Sequence, residues 1–130
     1  LVVDDESAVR NLTCELLHDM GHHPTACAGG AAAVRHIRTH GSATDLVILD
    51  VMMPGMDGPA TQAALQELDP DIRIVVASGY TTSEAVDRML EQGARCFLRK
   101  PFRQSQLAEA IAVGMEPNPD GRLEQQSRSG

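Results

Sequence analysis

The amino-acid sequence predicts a doubly wound α/β domain, in which a five-stranded parallel sheet carries helices on both faces. The first observation behind this prediction is length, since 130 residues can bury one core but not two. The second is that short apolar runs alternate with amphipathic helical segments, a pattern that favours a parallel sheet. The third is the run at residues 45–50, where four consecutive large aliphatic side chains lie between two carboxylates. Such a run is typical of a strand covered on both faces.

The first strand is predicted at residues 1–3, which are all aliphatic, and acidic residues follow it. Ser7 is a candidate N-cap for the first helix, because its hydroxyl can accept a hydrogen bond from an unpaired amide of the first turn. Gly21 is expected to end that helix, since glycine adopts the left-handed conformation of a C-terminal cap without strain. The spacing of apolar residues by three and four predicts the inward face of the helix. That face is expected to comprise Val9, Leu12, Leu16 and Met20.

The next two units follow the same alternation. A weaker strand is predicted at residues 23–27, and a Gly-Gly turn separates it from an alanine-rich helix at residues 31–40. The aliphatic strand at residues 45–50 belongs at the centre of the sheet. A loop rich in proline and glycine at residues 54–59 leads to a helix at residues 60–68. An Asp-Pro pair ends that helix, because a residue that precedes proline disfavours helical backbone angles.

Two further units complete the predicted domain. Their strands and helices are expected at residues 72–77, 83–92, 95–99 and 104–115. Apolar periodicity stops after the last of these helices. The folded domain is therefore expected to span residues 1–116, and residues 117–130 are expected to form a linker or disordered tail.

The composition argues against several classes of function. The 11 basic and 18 acidic side chains give a formal net charge of −7, and the aromatic residues are one tyrosine and two phenylalanines. Direct nucleic-acid binding needs a positive field and stacking surfaces, so it is not expected. Contact with an anionic membrane is not expected for the same reason, and no apolar run of the sequence approaches the ~20 residues that span a bilayer.

The cysteines indicate the compartment. Cys14, Cys27 and Cys96 are odd in number and far apart in the sequence, which fits free thiols better than a disulfide framework or a zinc site. A cytoplasmic domain is therefore expected. Because the chain begins within a predicted strand and without an initiator methionine, we also expect it to be part of a longer protein.

Polar residues follow four of the predicted strands and are expected to meet at one edge of the sheet. They are Asp4 and Asp5, Asp50, Ser78 and Lys100. In open α/β sheets the functional groups lie beyond the carboxyl ends of the strands, where the strand order reverses. Clustered carboxylates repel one another unless a cation lies among them, and oxygen ligands with positions left for water and phosphate favour Mg²⁺. Asp50 could then act as a nucleophile towards phosphorus, with the metal and Lys100 neutralising the phosphoryl oxygens.

Residues 1 to about 115 resemble the receiver domain of two-component response regulators. The matching stretches are LVVDDE at 1–6, DLVILDVMMPGMDG at 45–58, VVASG at 75–79 and FLRKPF at 97–102. Each stretch reaches a predicted strand end that the chemistry requires. The resemblance implies a flavodoxin-like (βα)5 fold with a five-stranded parallel sheet.

The resemblance also implies roles for the site residues. Asp50 would accept a phosphoryl group from a phosphohistidine on a partner histidine kinase or histidine phosphotransfer domain. Asp5 would bind Mg²⁺ directly and Asp4 largely through water, and Asp50 and the backbone carbonyl of Met52 would be the other protein ligands. Lys100 would pair with Asp50 and then with the phosphate. The implied chemistry is self-catalysed phosphotransfer followed by autodephosphorylation.

A switch is implied as well. Ser78 would move towards the phosphoryl oxygen, and Phe97 would turn inward and change the face formed by helix 4, strand 5 and helix 5. That face is also the one through which a homodimer would form. Phe97 replaces the tyrosine of many members, so its coupling must rest on packing. A cis peptide bond is expected between Lys100 and Pro101.

Two bulky residues suggest a slow loss of the phosphoryl group. In the family, the positions of Met52 and Tyr80, each two residues beyond a site residue, border the route of the hydrolytic water. We therefore predict slow autodephosphorylation.

Other functions fit the sequence less well. A phosphatase of the haloacid dehalogenase type also uses an aspartate nucleophile and Mg²⁺, but it needs an acid two residues after the nucleophile, where Met52 follows Asp50. An interaction module that has lost phosphorylation would not need all the chemical positions to be filled. The acidic first loop would repel the phosphates of a flavin or dinucleotide cofactor.

The stretches around Ser78 and Lys100 also resemble receivers at the C-terminus of hybrid sensor histidine kinases.

Overall fold

A computed structural model describes residues 1–79 and 84–117 of the chain. Its strands are β1 (Val2–Val3), β2 (Ala26–Cys27), β3 (Val47–Asp50), β4 (Ile74–Ser78) and β5 (Cys96–Arg99). Its α-helices are α1 (Ser7–Asp19), α2 (Gly30–His40), α3 (Gly58–Leu68), α4 (Glu84–Glu91) and α5 (Gln104–Gly114). A short 3₁₀ turn at Gly41–Ala43, which the sequence analysis did not predict, follows α2.

The strands form one parallel sheet in the order β2-β1-β3-β4-β5. The predicted doubly wound five-stranded sheet is therefore confirmed, with β3 at its centre. From β1 the chain first adds β2 on one side and then β3 to β5 on the other, so the strand order reverses between β1 and β3. This is the position at which open α/β sheets place their functional groups.

Aliphatic residues of the sheet alternate between two cores. On one face, Val47 and Leu49 pack in a cluster with buried residues of α2, α3 and α4. On the other face, Ile48 and Val75 pack in a second cluster with residues of α1 and α5. All residues of β3 and β4 are buried, as expected for strands covered by helices on both sides.

Helix α1 departs from the prediction at its inward face and at its cap. Leu16 and Met20 pack against the core as predicted, but the fully buried residues are Thr13 and Leu17, and Leu12, also predicted to point inward, is 53% exposed. Thr13 can be buried because its hydroxyl donates to the carbonyl of Val9 at 2.8 Å. The predicted N-cap was also wrong: the cap position is Glu6, and Ser7 is the first helical residue.

Gly21 ends α1 as predicted. Its φ of +90° lies in the left-handed region, which glycine adopts without strain. The amide of Gly21 donates to His18 and that of His22 to Leu17, a Schellman arrangement that pairs the last carbonyls of the helix.

Helix α3 begins two residues before its predicted start. Asp57 caps it by accepting a hydrogen bond from the amide of Ala60 at 2.9 Å, and Pro59 lies in its first turn.

The remaining element bounds differ from the predicted ones by a few residues, mainly at the short strand β2. The predicted start of the fourth helix at residue 83 and the body of the predicted tail, residues 118–130, lie outside the described residues. None of the helices in the described part of the chain is both long enough and apolar enough to span a membrane.

Candidate functional site

Three carboxylates meet at the carboxyl ends of β1 and β3. One ligand oxygen from each of Asp4, Asp5 and Asp50 lies within 4.8 Å of the others. Asp4 and Asp50 are buried, at 4% and 5% exposure, whereas Asp5 is exposed. Hydrogen bonding between β1 and β3 brings the two strand ends side by side, with Val3 opposite Leu49. The sequence therefore located these acids correctly, and the sheet order explains why residues 46 positions apart meet.

Lys100 joins the two buried acids. Its Nζ lies 2.7 Å from Oδ2 of Asp4 and 3.0 Å from Oδ1 of Asp50. The lysine follows β5, and its backbone amide donates to the carbonyl of Ser78 at 2.8 Å. The peptide bond between Lys100 and Pro101 is cis, the isomer that the sequence resemblance implied.

The environment of Asp50 raises the pKa of its carboxyl group. Burial raises the pKa of Asp50 from 3.8 to about 6; the hydrogen bond and charge of Lys100 oppose this rise, and the charges of Asp4 and Asp5 add to it. Burial alone would lower the pKa of Lys100, but its hydrogen bonds and charge interactions with Asp4 and Asp50 outweigh burial and raise it. Lys100 is thus protonated at neutral pH, and the ionised form of Asp50 is disfavoured mainly by burial.

The donor set suits a hard divalent cation. All three side chains offer oxygen, and the geometry brings one oxygen from each within 4.8 Å of the others. The three carboxylates outnumber the single ammonium group of Lys100, which pairs with Asp4 and Asp50. Few protein ligands leave coordination positions for water and phosphate oxygens, which is how Mg²⁺ is usually held. The residues present therefore fit Mg²⁺.

Ser78 and Phe97 lie on the neighbouring strands β4 and β5. Ser78 is the last residue of β4 and is 2% exposed. Phe97 is half-buried and packs against the hydrophobic cluster that contains Met89 of α4.

Met52 lies in the loop after β3 with 60% of its side chain exposed. Tyr80, which was paired with Met52 in the prediction on hydrolysis, lies outside the described residues.

Gly58 was missed by the sequence analysis, although it controls how closely α3 approaches Asp50. A Cβ atom on Gly58 would lie 2.7 Å from Cα of Val51 and 2.8 Å from the carbonyl oxygen of Asp50. The amide of Gly58 donates to the carbonyl of Val51 at 2.8 Å. Only glycine allows this approach. The Asp-Gly-Pro triplet is typical of a helix start, and this pattern could have indicated that Gly58 begins α3.

Arg10 was also missed. Its side chain is half-buried in α1, and Nη1 donates to the backbone carbonyl of Asp4 at 2.8 Å. The contact joins α1 to the acidic turn. The sequence places Arg10 on the first turns of α1, close to the acidic turn, but this position does not specify where a long side chain points.

Helices α3 and α4 are linked by two glutamines. Nε2 of Gln62, which is 2% exposed, donates to the carbonyl of Met89 at 3.0 Å, and Nε2 of Gln66 donates to that of Gln92 at 2.8 Å. These bonds pair carbonyls at the C-terminal end of α4. The helix that starts against Asp50 therefore holds the end of the neighbouring helix.

Comparisons with known proteins agree on one family. The family model described as the response regulator receiver domain matches residues 1–112. The chain is 37% identical over 117 residues to the sensor kinase CckA of Brucella abortus, covering 89% of this chain and 12% of that protein. It is 33% identical over 112 residues to the chemotaxis protein CheY of Bacillus subtilis, covering 85% of this chain and 92% of that protein.

The solved structures are similar in fold over the same region. A CheX–CheY–BeF₃–Mg²⁺ complex from Borrelia burgdorferi contains a chain that is 25% identical, with a TM-score of 0.84 and coverage of 89% of this chain and 87% of that chain. The chain thus spans nearly the whole of the small CheY relative but only about an eighth of the sensor kinase.

Proposed function

The chain belongs to the response regulator receiver domain family of two-component signalling, and from this premise we propose that Asp50 is its phosphoacceptor. The phosphoryl donor is a phosphohistidine on a histidine kinase or a histidine phosphotransfer domain. The observation that carries the proposal is the position of Lys100, whose Nζ lies 3.0 Å from one oxygen of Asp50 and 2.7 Å from Asp4. A fixed cation at this distance can pair with a phosphoryl group on Asp50.

The proposed transfer conserves atoms and charge. A carboxylate oxygen of Asp50 forms a bond to phosphorus, the bond between phosphorus and the imidazole nitrogen breaks, and the nitrogen retains the electron pair. Lys100 neutralises oxygens of the transferred group because its raised pKa keeps it protonated. Mg²⁺, when bound, supplies further charge neutralisation at the phosphoryl oxygens.

The neighbouring acids hold the cation in this proposal. Asp5 is a direct ligand, since it is exposed and can face an ion that enters from solvent. Asp4 acts largely through water, because Lys100 occupies its Oδ2 and the Glu6 amide occupies its Oδ1. Asp50 and the backbone carbonyl of Met52 are the other protein ligands in this proposal.

The output is a change of the α4-β5-α5 face. Ser78, at the end of β4, moves towards the phosphoryl oxygen, and Phe97 turns further inward beside α4. Support comes from the half-buried state of Phe97 and its packing against the cluster that contains Met89, so that a change in its burial would alter the contact between β5 and α4. A homodimer through this face is part of the proposal.

The setting of the domain is inferred from its relatives. The sensor kinase that it resembles contains a matching segment that makes up 12% of that protein. We therefore propose that this domain is the receiver of a hybrid histidine kinase and lies in the cytoplasm. The acidic composition, with a net charge of −7, supports a partner other than nucleic acid or an anionic membrane.

Intact-mass measurement tests the proposal. Purified protein is treated with acetyl phosphate and Mg²⁺, alongside Asp50→Asn and the control Asp45→Asn, which changes an exposed carboxylate just before β3. One added phosphoryl group is expected on the wild type and the control, and none on Asp50→Asn. Labelling of Asp50→Asn equal to that of the wild type would overturn the assignment. Repeated release of phosphate from small esters would instead favour a phosphatase.

A further inference from the structure

The hydrogen bond from Arg10 to the carbonyl of Asp4, at the end of β1, is not part of the proposed phosphotransfer. Asp4 uses all its polar groups: its amide donates to Cys27 at 3.1 Å, Oδ1 accepts from Glu6 at 2.9 Å, and Oδ2 accepts from Lys100 at 2.7 Å. The carbonyl oxygen accepts from Nη1 of Arg10 at 2.8 Å.

Strand pairing explains why that carbonyl takes a side chain as its donor. The amides of Val2 and Asp4 both point towards β2, where they donate to Thr25 and Cys27. Strand β2 ends at Cys27, so the carbonyl of Asp4 lies beyond the last paired residue of that strand. A buried carbonyl needs a partner, and the guanidinium of Arg10 supplies it from α1.

The carbonyl of Asp4 belongs to the peptide group that leads into Asp5. Because a peptide group is planar, fixing its oxygen fixes the direction in which the chain continues to Asp5. Asp5 is exposed, whereas Asp4 and Asp50 are buried and tied to Lys100. The hydrogen bond from Arg10 is therefore a direct constraint on the backbone that carries the exposed acid.

We infer that Arg10 is a positioning residue for the divalent-cation site, acting by holding the Asp4–Asp5 peptide so that Asp5 faces Asp50. The inference rests on the proposed function, because it takes the three acids as the site of Mg²⁺. Residues that orient metal ligands typically contribute ten- to a hundredfold in affinity.

Positioning and simple charge repulsion predict opposite results when Arg10 is replaced. Arg10 is a cation close to a cation site, so removal of its charge alone would strengthen Mg²⁺ binding. Loss of the hydrogen bond would release the Asp4–Asp5 peptide and weaken binding. The sign of the change in affinity therefore distinguishes the two roles.

A matched control exists in Arg35. Burial raises the pKa of the Cys27 thiol, and the positive charges of the N-terminus, Arg35 and Arg10 oppose this rise, so both arginines contribute positive charge at the end of β2. The side chain of Arg35 is exposed on α2. Arg35→Met thus removes a nearby charge without removing the bond to Asp4.

The experiment measures the dissociation constant of Mg²⁺ by isothermal titration calorimetry, without a phosphodonor. The set comprises wild type, Arg10→Met, Arg10→Gln, Arg10→Lys and Arg35→Met, and urea unfolding in EDTA verifies that each variant is folded. We expect Arg10→Met and Arg10→Gln to weaken binding at least about tenfold. Arg10→Lys, which keeps a charged donor, should stay within about threefold of wild type, and Arg35→Met should bind as tightly or more tightly.

Two neutral variants are included so that one that does not fold leaves the other to decide. Unchanged or tighter Mg²⁺ binding by the folded neutral variant would overturn the inference and leave the phosphoacceptor assignment standing. Absence of Mg²⁺ binding by the wild type would instead refute the cation site of the proposed function. Weakening by Arg35→Met equal to that by Arg10→Met would also overturn the inference, because Arg35 does not make the hydrogen bond to Asp4 and loss of that bond would then not be the cause of the effect.

Discussion

Replacing Asp50 by asparagine should stabilise the metal-free protein. The carboxylate of Asp50 is buried beside two other acids, and one lysine does not offset its cost, so burial raises its pKa to about 6. Asparagine is close in size to the uncharged carboxyl group and carries no charge. The variant therefore removes an unfavourable charge and leaves the packing at the end of β3 nearly unchanged.

The magnitude follows from the two pKa values. The pKa rises from 3.8 to about 6 on folding, and each unit corresponds to ~1.4 kcal/mol. At pH 7 the ionised Asp50 should thus lower the free energy of unfolding by at most about 3 kcal/mol, and Asp50→Asn should recover most of that amount. At a slope of ~2 kcal/mol per molar urea, the unfolding midpoint would rise by about 1–1.5 M.

Urea unfolding followed by circular dichroism in EDTA measures this difference. The exposed Asp45→Asn variant is the control and should unfold at the wild-type midpoint. With Mg²⁺ at about a hundred times its dissociation constant, the wild type should gain ~2.7 kcal/mol, and Asp50→Asn should gain much less because it replaces one of the three carboxylates of the cation site by a neutral amide. A variant that is no more stable than wild type in EDTA at pH 7 would refute the reasoning.

Four further predictions concern the same site. Because folding raises the pKa of Asp50, its contribution to stability is fully present below pH 3.8 and is lost as pH rises through about 6. In EDTA, the stability of the wild type relative to Asp50→Asn should therefore fall across that pH range. Equal pH profiles of the two proteins in urea titrations would contradict this. Lys100→Met leaves Asp4 and Asp50 buried without their cation. It should lower the free energy of unfolding by ~3–5 kcal/mol at pH 7, with a smaller loss at pH 5, and it should abolish labelling by acetyl phosphate. Gly58→Ala forces a Cβ against the backbone of the Asp50 loop and should destabilise the protein by ~1–3 kcal/mol in thermal unfolding, a result that wild-type stability would exclude. The bulky Met52 side chain predicts slow autodephosphorylation, faster in Met52→Ala, and loss of phosphate from the wild type within seconds would contradict it.

The fold and the acidic site could be predicted because their signals are local. A run of aliphatic residues identifies a buried strand, and the residue that follows it must lie at the carboxyl edge of a parallel sheet. Asp4, Asp50 and Lys100 were all located in this way, and in the structure an oxygen of Asp4 and one of Asp50 each lie within 3.0 Å of the Nζ of Lys100.

What the sequence could not indicate depends on direction and close approach. Thr13 counts as polar in any apolar pattern, yet it is buried because its hydroxyl bonds to its own helix. Of the predicted face of α1, Leu16 and Met20 do pack against the core, whereas Leu12 was wrongly expected to point inward. The long side chain of Arg10 reaches the end of another element, and Gly58 is needed for a backbone contact that forms only when α3 docks. These features arise from tertiary packing rather than from local preference.

Chemical trapping of the modified residue tests the central claim most directly. The wild-type protein is incubated with acetyl phosphate and Mg²⁺, reduced with borohydride, which converts an aspartyl phosphate to homoserine, and mapped by peptide mass spectrometry. We predict a single reduced position, at residue 50, which disappears when Mg²⁺ is replaced by EDTA. Reduction at a different residue, or none in folded protein with Mg²⁺ bound, would contradict the account.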